Sequence, residues 1–374
     1  MIPAPLVLPL TLAILSPADD GPDPALGDTL RINQLQVIGT HNSYHLAPLP
    51  AVRALIDAAS PGRAEGLDYS HPPLAEQFGR LRIRQIELDV FADPDGGLFA
   101  RPMARHSLIA LGKDPGPDPN AGGVLDAPGP KVLHVPDIDY RTTAPTLADA
   151  LRQVRDWSEA HPDHVPILIL VELKDGPIPG LTPPRPIDDD AIEAVEQVIR
   201  SAFDSDHLIT PDSVRGDAET LRDAIRSRGW PLLADSRGKI LLALDNTDAI
   251  RNRYLDGHPS LSGRLMLADA GSADHPAASW FKRNDPIGQF DEIRELVRLG
   301  FLVRTRADAD TRQARSGDTS RRDRALASGA QYVSTDYPEP DPRFSDYRVA
   351  LPGGAEARVN PVSGPVAVGD DRPR

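Results

Sequence analysis

The sequence predicts an α/β protein folded as a distorted (β/α)8 TIM-type barrel, and three observations carry that prediction. Eight short runs rich in Val, Ile and Leu recur along the 374 residues, and amphipathic helical patterns lie between several of them. The Gly-rich phosphate loops G-x-G-x-x-G and G-x-x-x-x-G-K-[ST], common in open doubly wound sheets, are absent. Near-continuous apolar strands alternating with helices indicate a parallel sheet covered by helices, and eight of them suit a barrel better than an open sheet.

The runs, in order, are "LQVIG" (35–39), "RQIELDV" (84–90), "KVLHV" (131–135), "PILILVEL" (166–173), "KILLALD" (239–245), "RLMLAD" (264–269), "FLVRTR" (301–306) and "QYVSTD" (331–336). The segment Pro145 to Ala160 places Leu147, Leu151, Val154 and Trp157 on one helical face, with Thr143 as its expected cap. Asp188 to Phe203 repeats the pattern with Ile192, Val195 and Ile199, and its acidic start suits a helix N-terminus. Helices are also expected over 217–228, 287–299 and 321–328. Pro/Gly-rich inserts at 46–80, 92–130 and 174–188 distort the barrel and fall at its catalytic face.

The barrel is expected to span residues 30–345. The apolar run from Pro5 to Leu15 is too short to cross a bilayer and is followed by small and acidic residues. Residues 1–22 therefore read as a signal peptide, though no Lys or Arg precedes the run, and the protein as secreted or periplasmic. Residues 346–374, rich in Pro, Gly, Val and Arg without periodicity, read as a flexible tail. A formal charge of −14 argues against nucleic-acid binding and would repel an anionic surface unless a cation intervened. With no cysteine, disulfides, thiolate metal sites and Cys nucleophiles are excluded.

Reacting groups in such a barrel sit at the carboxyl ends of the strands. Those ends carry His41 and Asn42, Glu87 and Asp89, His134, Glu172 and Lys174, Asp245 and Asn246, Arg304 and Arg306, then Ser334, Asp336 and Tyr337. Glu87 and Asp89 are two apart on a strand and face one side, where two carboxylates repel unless one is protonated or a cation joins them. With Asn42 and Glu172 they form a hard oxygen donor set, suited to Ca²⁺ or Mg²⁺, and His41 and His134 beside it suggest a general acid and base. His71 in "DYSHPP" and His106 compete with His134 for the second role. His71 reads more simply as a surface or packing histidine, and His161 and His164 as structural.

The blocks "GTHNSYH", "LDYSHPPLAEQF", "RQIELDV", "VLHVPDIDYRTTAPTLADAL", "PILILVELK", "VRTRAD" and "GAQYVSTDY" resemble, in this order, the bacterial calcium-dependent phosphatidylinositol-specific phospholipase C family, over roughly residues 31–340. The resemblance implies a calcium-dependent phosphodiesterase that cleaves phosphatidylinositol or a related inositol phosphodiester to diacylglycerol and inositol phosphate. It makes His41 and His134 the catalytic histidines and Asn42, Glu87, Asp89 and Glu172 the Ca²⁺ ligands. Lys174, Arg304, Arg306 and Tyr337 fall where the family holds phosphate or the inositol ring. A monomer that meets a membrane surface transiently is the expected form. Rival readings are a glycerophosphodiester phosphodiesterase, for which H-R-G is expected where this chain has T-H-N, and a non-catalytic lipid or inositol-phosphate binder.

Overall fold

The computed structural model describes residues 26–365. The apolar run at 5–15 and residues 366–374 lie outside the described residues. The strands are β1 Leu35–Thr40, β2 Gln85–Phe91, β3 Lys131–Val132, β4 Ile167–Leu173, β5 Leu208–Ile209, β6 Ile240–Leu244, β7 Leu267–Ala268, β8 Trp280–Lys282, β9 Leu302–Arg306, β10 Tyr332–Thr335 and β11 Ala357–Val359.

Eight of them follow one another in parallel as β1, β2, β4, β6, β7, β8, β9 and β10, and β10 pairs again with β1. Between β7 and β8 the ring is carried by a single parallel bridge, Asp269 to Trp280. The result is the expected distorted barrel, but its membership differs from the sequence reading. The run at 131–135 is not a barrel strand: only Lys131 and Val132 pair, antiparallel, against the far end of β2. Its place is taken by "WFK" at β8. Two-residue β5 shares with β7 the edge of β6 that β4 leaves free.

The β-branched and Leu-rich composition of β4 and β6 leaves their apolar side chains fully buried, between the barrel interior and the helices outside. The helix Leu147–Ala160 buries Leu147, Ala150, Leu151, Val154 and Trp157, as its spacing predicts. Each such Leu or Val side chain contributes about 1.5–3 kcal/mol of burial. Its cap is Thr146, whose Oγ1 accepts from Asp149 N at 3.1 Å, while the expected cap Thr143 instead donates its backbone N–H to Tyr44 O. The helix Asp189–Ala202 starts on Asp188, whose carboxylate accepts from Ala191 N at 2.9 Å.

The inserts are ordered around satellite cores. Val52 and Ile56 from the helix Pro50–Ala59 pack with Ala104 and Leu108 from the helix Met103–Ala110 and with Tyr140. The segment after residue 345 is no loose tail within the described residues. Tyr347, Val349, Leu351 and Ala357 are buried, β11 runs antiparallel to β1, and Asn360 Nδ2 donates to Leu35 O and Gly329 O. Apolar residues spaced without a helical or strand period hide this anchoring from a pattern search.

Candidate active site

The strands β1 and β2 part where the site begins. They share one registered pair, Gly39 with Gln85, and a Cβ on Gly39 would collide with the Gln85 side chain, which donates from Nε2 to Thr40 O. Beyond that point Ser43 replaces the ladder: its N–H donates to Glu87 O at 2.9 Å and its Oγ accepts from Glu87 N at 2.8 Å. Asn42 turns the chain with φ of 45°, a left-handed conformation that Asn tolerates better than most residues. Its Nδ2 donates to the Tyr69 hydroxyl at 3.2 Å, which leaves the Oδ1 of this buried side chain as an acceptor.

Alternation on β2 turns Glu87 and Asp89 into the barrel, where Glu172 at the end of β4 joins them. One carboxylate oxygen from each lies within 4.8 Å of the others. Cations surround this cluster. Arg304, on β9 and 1% exposed, bonds Glu87, Asn284 Oδ1 at 2.5 Å and Ser334 Oγ at 3.2 Å. Lys174 Nζ lies 2.9 Å from Glu172 and 3.2 Å from Asp89, and Lys282 Nζ 2.6 Å from Asp245.

Burial lifts the Glu87 carboxyl to about 8 against the pull of Arg304, and lifts Asp89 to about 7 against that of Lys174. Neither Asp89 oxygen, both fully buried, meets hydrogen-bond geometry with any donor. A buried carboxylate left so under-bonded costs free energy that a cation would offset.

His41 stands at the rim, fixed on both sides. Its Nδ1 is 2.8 Å from Asp336 Oδ1, and its Nε2 is 3.3 Å from Arg306 Nη1 and 3.7 Å from Glu87 Oε1. A guanidinium only donates, so Nε2 is the accepting nitrogen and Nδ1 carries the proton toward Asp336. Burial and then Arg306 hold the imidazole down to about 3, which keeps it neutral. Arg306 also bonds Asp336 Oδ2 at 3.0 Å, so the two arginines of β9, two residues apart, serve the cluster and the histidine separately.

The second histidine, His134, is not at a barrel strand end as expected but in the turn after β3, where Val135 and Asp139 pair and the chain doubles back at Pro136. Because β3 pairs with the carboxyl end of β2, the turn still reaches the mouth. A row of ring contacts links the two histidines: His41 to Tyr69 at 6.4 Å between centroids, Tyr69 to His45 at 4.4 Å, and His45 to His134 at 5.8 Å.

Of the ten residues expected in the site, nine lie in this network around the mouth. Tyr337 does not. It follows Asp336 by one residue and so faces the other way, its ring packing against Phe344 and Tyr347, with the hydroxyl buried. Tyr69, from the first insert, is the aromatic side chain at the site instead. Sequence reasoning assigned no role to Asp336, Asp139, Lys282 or Asp245. The carboxyl-end position of Asp245 and Asp336 was the available signal. His71, read from the sequence as a surface or packing histidine, is buried beneath His41, with Nε2 2.9 Å from His41 O.

Against profiles of protein families, residues 30–361 match "Phosphoinositide phospholipase C, Ca2+-dependent". The chain belongs to that family. A calcium-dependent phospholipase C is a phosphodiesterase with Ca²⁺ as its cofactor, and solved relatives share the architecture. The calcium-dependent phosphoinositol-specific phospholipase C of a Gram-negative Pseudomonas sp. is similar in apo form, at 15% identity and a TM-score of 0.52, covering 91% of this chain and 98% of that one. Its myo-inositol complex is similar at 16% and 0.53, covering 92% and 99%. The Ca²⁺-dependent phosphatidylinositol-specific enzyme of Streptomyces antibioticus is similar at 16% and 0.51, covering 82% and 95%. At these identities the likeness speaks to the fold. A search of curated proteins found no match.

The residues present fit the ion of the family. The donor set is all oxygen, three carboxylates converge, and Asp89 offers two buried oxygens short of donors. Glu87, Asp89 and Glu172 could hold Ca²⁺, with the Asn42 amide oxygen as a fourth donor.

Proposed function

We propose that the protein cleaves phosphatidylinositol, or a related inositol phosphodiester, to diacylglycerol and inositol phosphate by histidine acid/base catalysis beside Ca²⁺. The observation that carries the reading is the convergence of Glu87, Asp89 and Glu172 next to a His41 whose Nε2 is an acceptor, free of a proton, and whose Nδ1 is anchored on Asp336.

Held by Asn42, Glu87, Asp89 and Glu172, Ca²⁺ would lower the pKa of the attacking hydroxyl and offset phosphoryl charge. The protein's own groups do the rest. His41 Nε2 takes the proton of the ring hydroxyl that attacks phosphorus, while Asp336 accepts the hydrogen bond from Nδ1 and steadies the cation that forms. Arg306, a donor 3.3 Å from Nε2, is placed to turn toward the phosphoryl oxygens, and Lys174 to follow when the carboxylates take the metal. His134, on the far side of Tyr69 and His45, protonates the departing oxygen.

The reading extends to a secreted or periplasmic monomer that meets its lipid at a membrane surface transiently. Among the described residues no helix is long and apolar enough to cross a membrane.

The test is product formation from phosphatidylinositol micelles with purified protein in calcium and in chelator, with cyclic and acyclic inositol phosphates resolved. Calcium-dependent product that His41→Ala and His134→Ala each reduce about 100-fold or more is the expected result. No product from phosphatidylinositol or glycerophosphoinositol in calcium would overturn the reading.

A further inference from the structure

The peptide unit between Thr335 and Asp336 is bonded at both of its ends. Its carbonyl accepts the backbone N–H of His41 at 3.1 Å, and its N–H donates to Asp308 Oδ1 at 2.8 Å. The first bond lies one residue past the last pair of β1 and β10, Thr40 with Thr335. The second stands in for a ladder that has already stopped, because β9 and β10 end their pairing at Arg306 with Ser334. One peptide therefore ties the backbones of His41 and Asp336 together, and a side chain just past the end of β9 holds it.

Asp308 is fully buried and takes two further donors. The Thr335 hydroxyl bonds Oδ2. Since Thr335 Oγ1 also accepts the Tyr337 N–H at 2.8 Å, its own proton is turned to the carboxylate. The Tyr347 hydroxyl lies 3.1 Å from Asp308 Oδ2 and 3.1 Å from Ala307 O. Tyr347 belongs to the segment after residue 345, which also crosses the exit of β10 by way of Val349 N–H, 2.9 Å from Tyr337 O. Asp336 is thus gripped twice from the same side of the barrel. Asp308 takes its N–H, and Arg306, two residues before Asp308, takes its carboxylate at 3.0 Å.

We propose that Asp308, braced by Tyr347 of the C-terminal segment, is a positioning residue that fixes the backbone of Asp336 so that its carboxylate stands at His41 Nδ1. The inference rests on the reading of His41 as the base. When Nε2 takes the proton of the attacking hydroxyl the imidazole becomes a cation, and the acceptor at Nδ1 must already be in place to stabilise it. That acceptor is Asp336 Oδ1, 2.8 Å away. Asp308 and Tyr347 are both buried, so they act on the substrate only through Asp336.

A misplacement of about 1 Å can cost about 100-fold in rate, and loosening one of two grips costs a fraction of that. In calcium, with phosphatidylinositol micelles, Asp308→Asn is expected to lower kcat by about 10-fold and to leave KM within about twofold. Tyr347→Phe keeps the ring and its packing, and is expected to lower kcat by about 3-fold through the lost hydroxyl. On an Asp336→Asn background either substitution should cost less than about twofold more, since both act through one carboxylate. General damage to the fold would instead multiply in both backgrounds.

The Nδ1 proton of His41 gives a readout that needs no substrate. Its ¹H–¹⁵N correlation, identified by its loss in His41→Ala, should move upfield in Asp308→Asn and in Tyr347→Phe, and stay in place in Tyr337→Phe. Should Asp308→Asn not fold, Tyr347→Phe carries both measurements. An unmoved Nδ1 signal in the folded variants, or kcat losses that multiply on Asp336→Asn, would overturn the assignment. If the wild type cleaves no phosphatidylinositol in calcium the phospholipase reading falls, while the Nδ1 signal still decides whether Asp308 and Tyr347 hold Asp336 in place.

Discussion

Arg304→Met removes a guanidinium that is 1% exposed and keeps most of the side-chain volume, so the variant isolates the loss of charge and hydrogen bonds. Three bonds go: the charge-assisted pair with Glu87 and those to Asn284 Oδ1 at 2.5 Å and Ser334 Oγ at 3.2 Å. Removing one partner of a buried ion pair costs about 3–5 kcal/mol. A Coulomb estimate for unit charges about 4 Å apart at an effective dielectric of about 20 gives roughly 4 kcal/mol, in agreement. The alternative to an unpaired carboxylate is a protonated one, so the cost should grow as pH rises. The measurement is urea unfolding in chelator, at a pH above the value of about 8 to which burial lifts the Glu87 carboxyl, followed by far-UV circular dichroism, for wild type, Arg304→Met, Glu87→Gln and the double variant. Neutralising Glu87 in the Arg304→Met background should restore about 2 kcal/mol or more. Calcium should narrow the gap between Arg304→Met and wild type, because the ion also compensates Glu87. A loss below about 1 kcal/mol in chelator, or a double variant as unstable as Arg304→Met alone, would refute this account of the cluster.

Calcium itself should stabilise the fold by about 2.7 kcal/mol at a free concentration one hundred times its Kd, read as a rise in Tm that Asp89→Asn abolishes. Tyr69→Phe should weaken calcium binding measured by calorimetry, because the Asn42 amide loses its partner, whereas Tyr337→Phe should leave both calcium affinity and turnover within about twofold. Burial first, and Arg84 among its neighbours, holds His164 down to about 4 against an ordinary value of 6.5, so between those pH values the unfolded chain binds a proton that the folded one does not. Stability should therefore fall as pH drops from about 6.5 to 4, by up to roughly 3 kcal/mol, and urea titrations of His164→Gln should show a shallower slope over that window. A chain ending at residue 345 should fail to accumulate as soluble folded protein, since it lacks Tyr347, Val349, Leu351 and β11.

Seven of the eight barrel strands are legible as apolar runs because they are buried on both faces, with a Val, Ile or Leu signal that is continuous in β4 and β6 and thinnest in β10. The eighth, "WFK", is three residues long and contributes no such run, while "KVLHV" has the run without the parallel partner. Short apolar stretches report burial, and pairing direction depends on what comes next, here a Pro136 turn that no periodicity encodes. The site was legible where chemistry coincided with strand ends: His41, Glu87, Asp89, Glu172 and the two arginines. Period-two alternation was enough to separate Asp336 from Tyr337 once one of them is placed inward. Asp139 was out of reach, because its place at the mouth depends on His45, 94 residues away, meeting the same oxygen as His134.

The first barrel strand leans on neighbours from opposite ends of the chain. With β2 it shares a single registered pair, whereas β10 and β11, about 300 residues later, supply its regular ladders. During synthesis β1 therefore waits, with its hydrogen-bonding edge unsatisfied, until almost the whole polypeptide has emerged. Contacts of such sequence separation slow folding and prolong the life of partly assembled chains. The residue pair proposed to begin the chemistry, His41 on Asp336, closes at the same late moment. Catalytic competence is thus withheld from every unfinished chain.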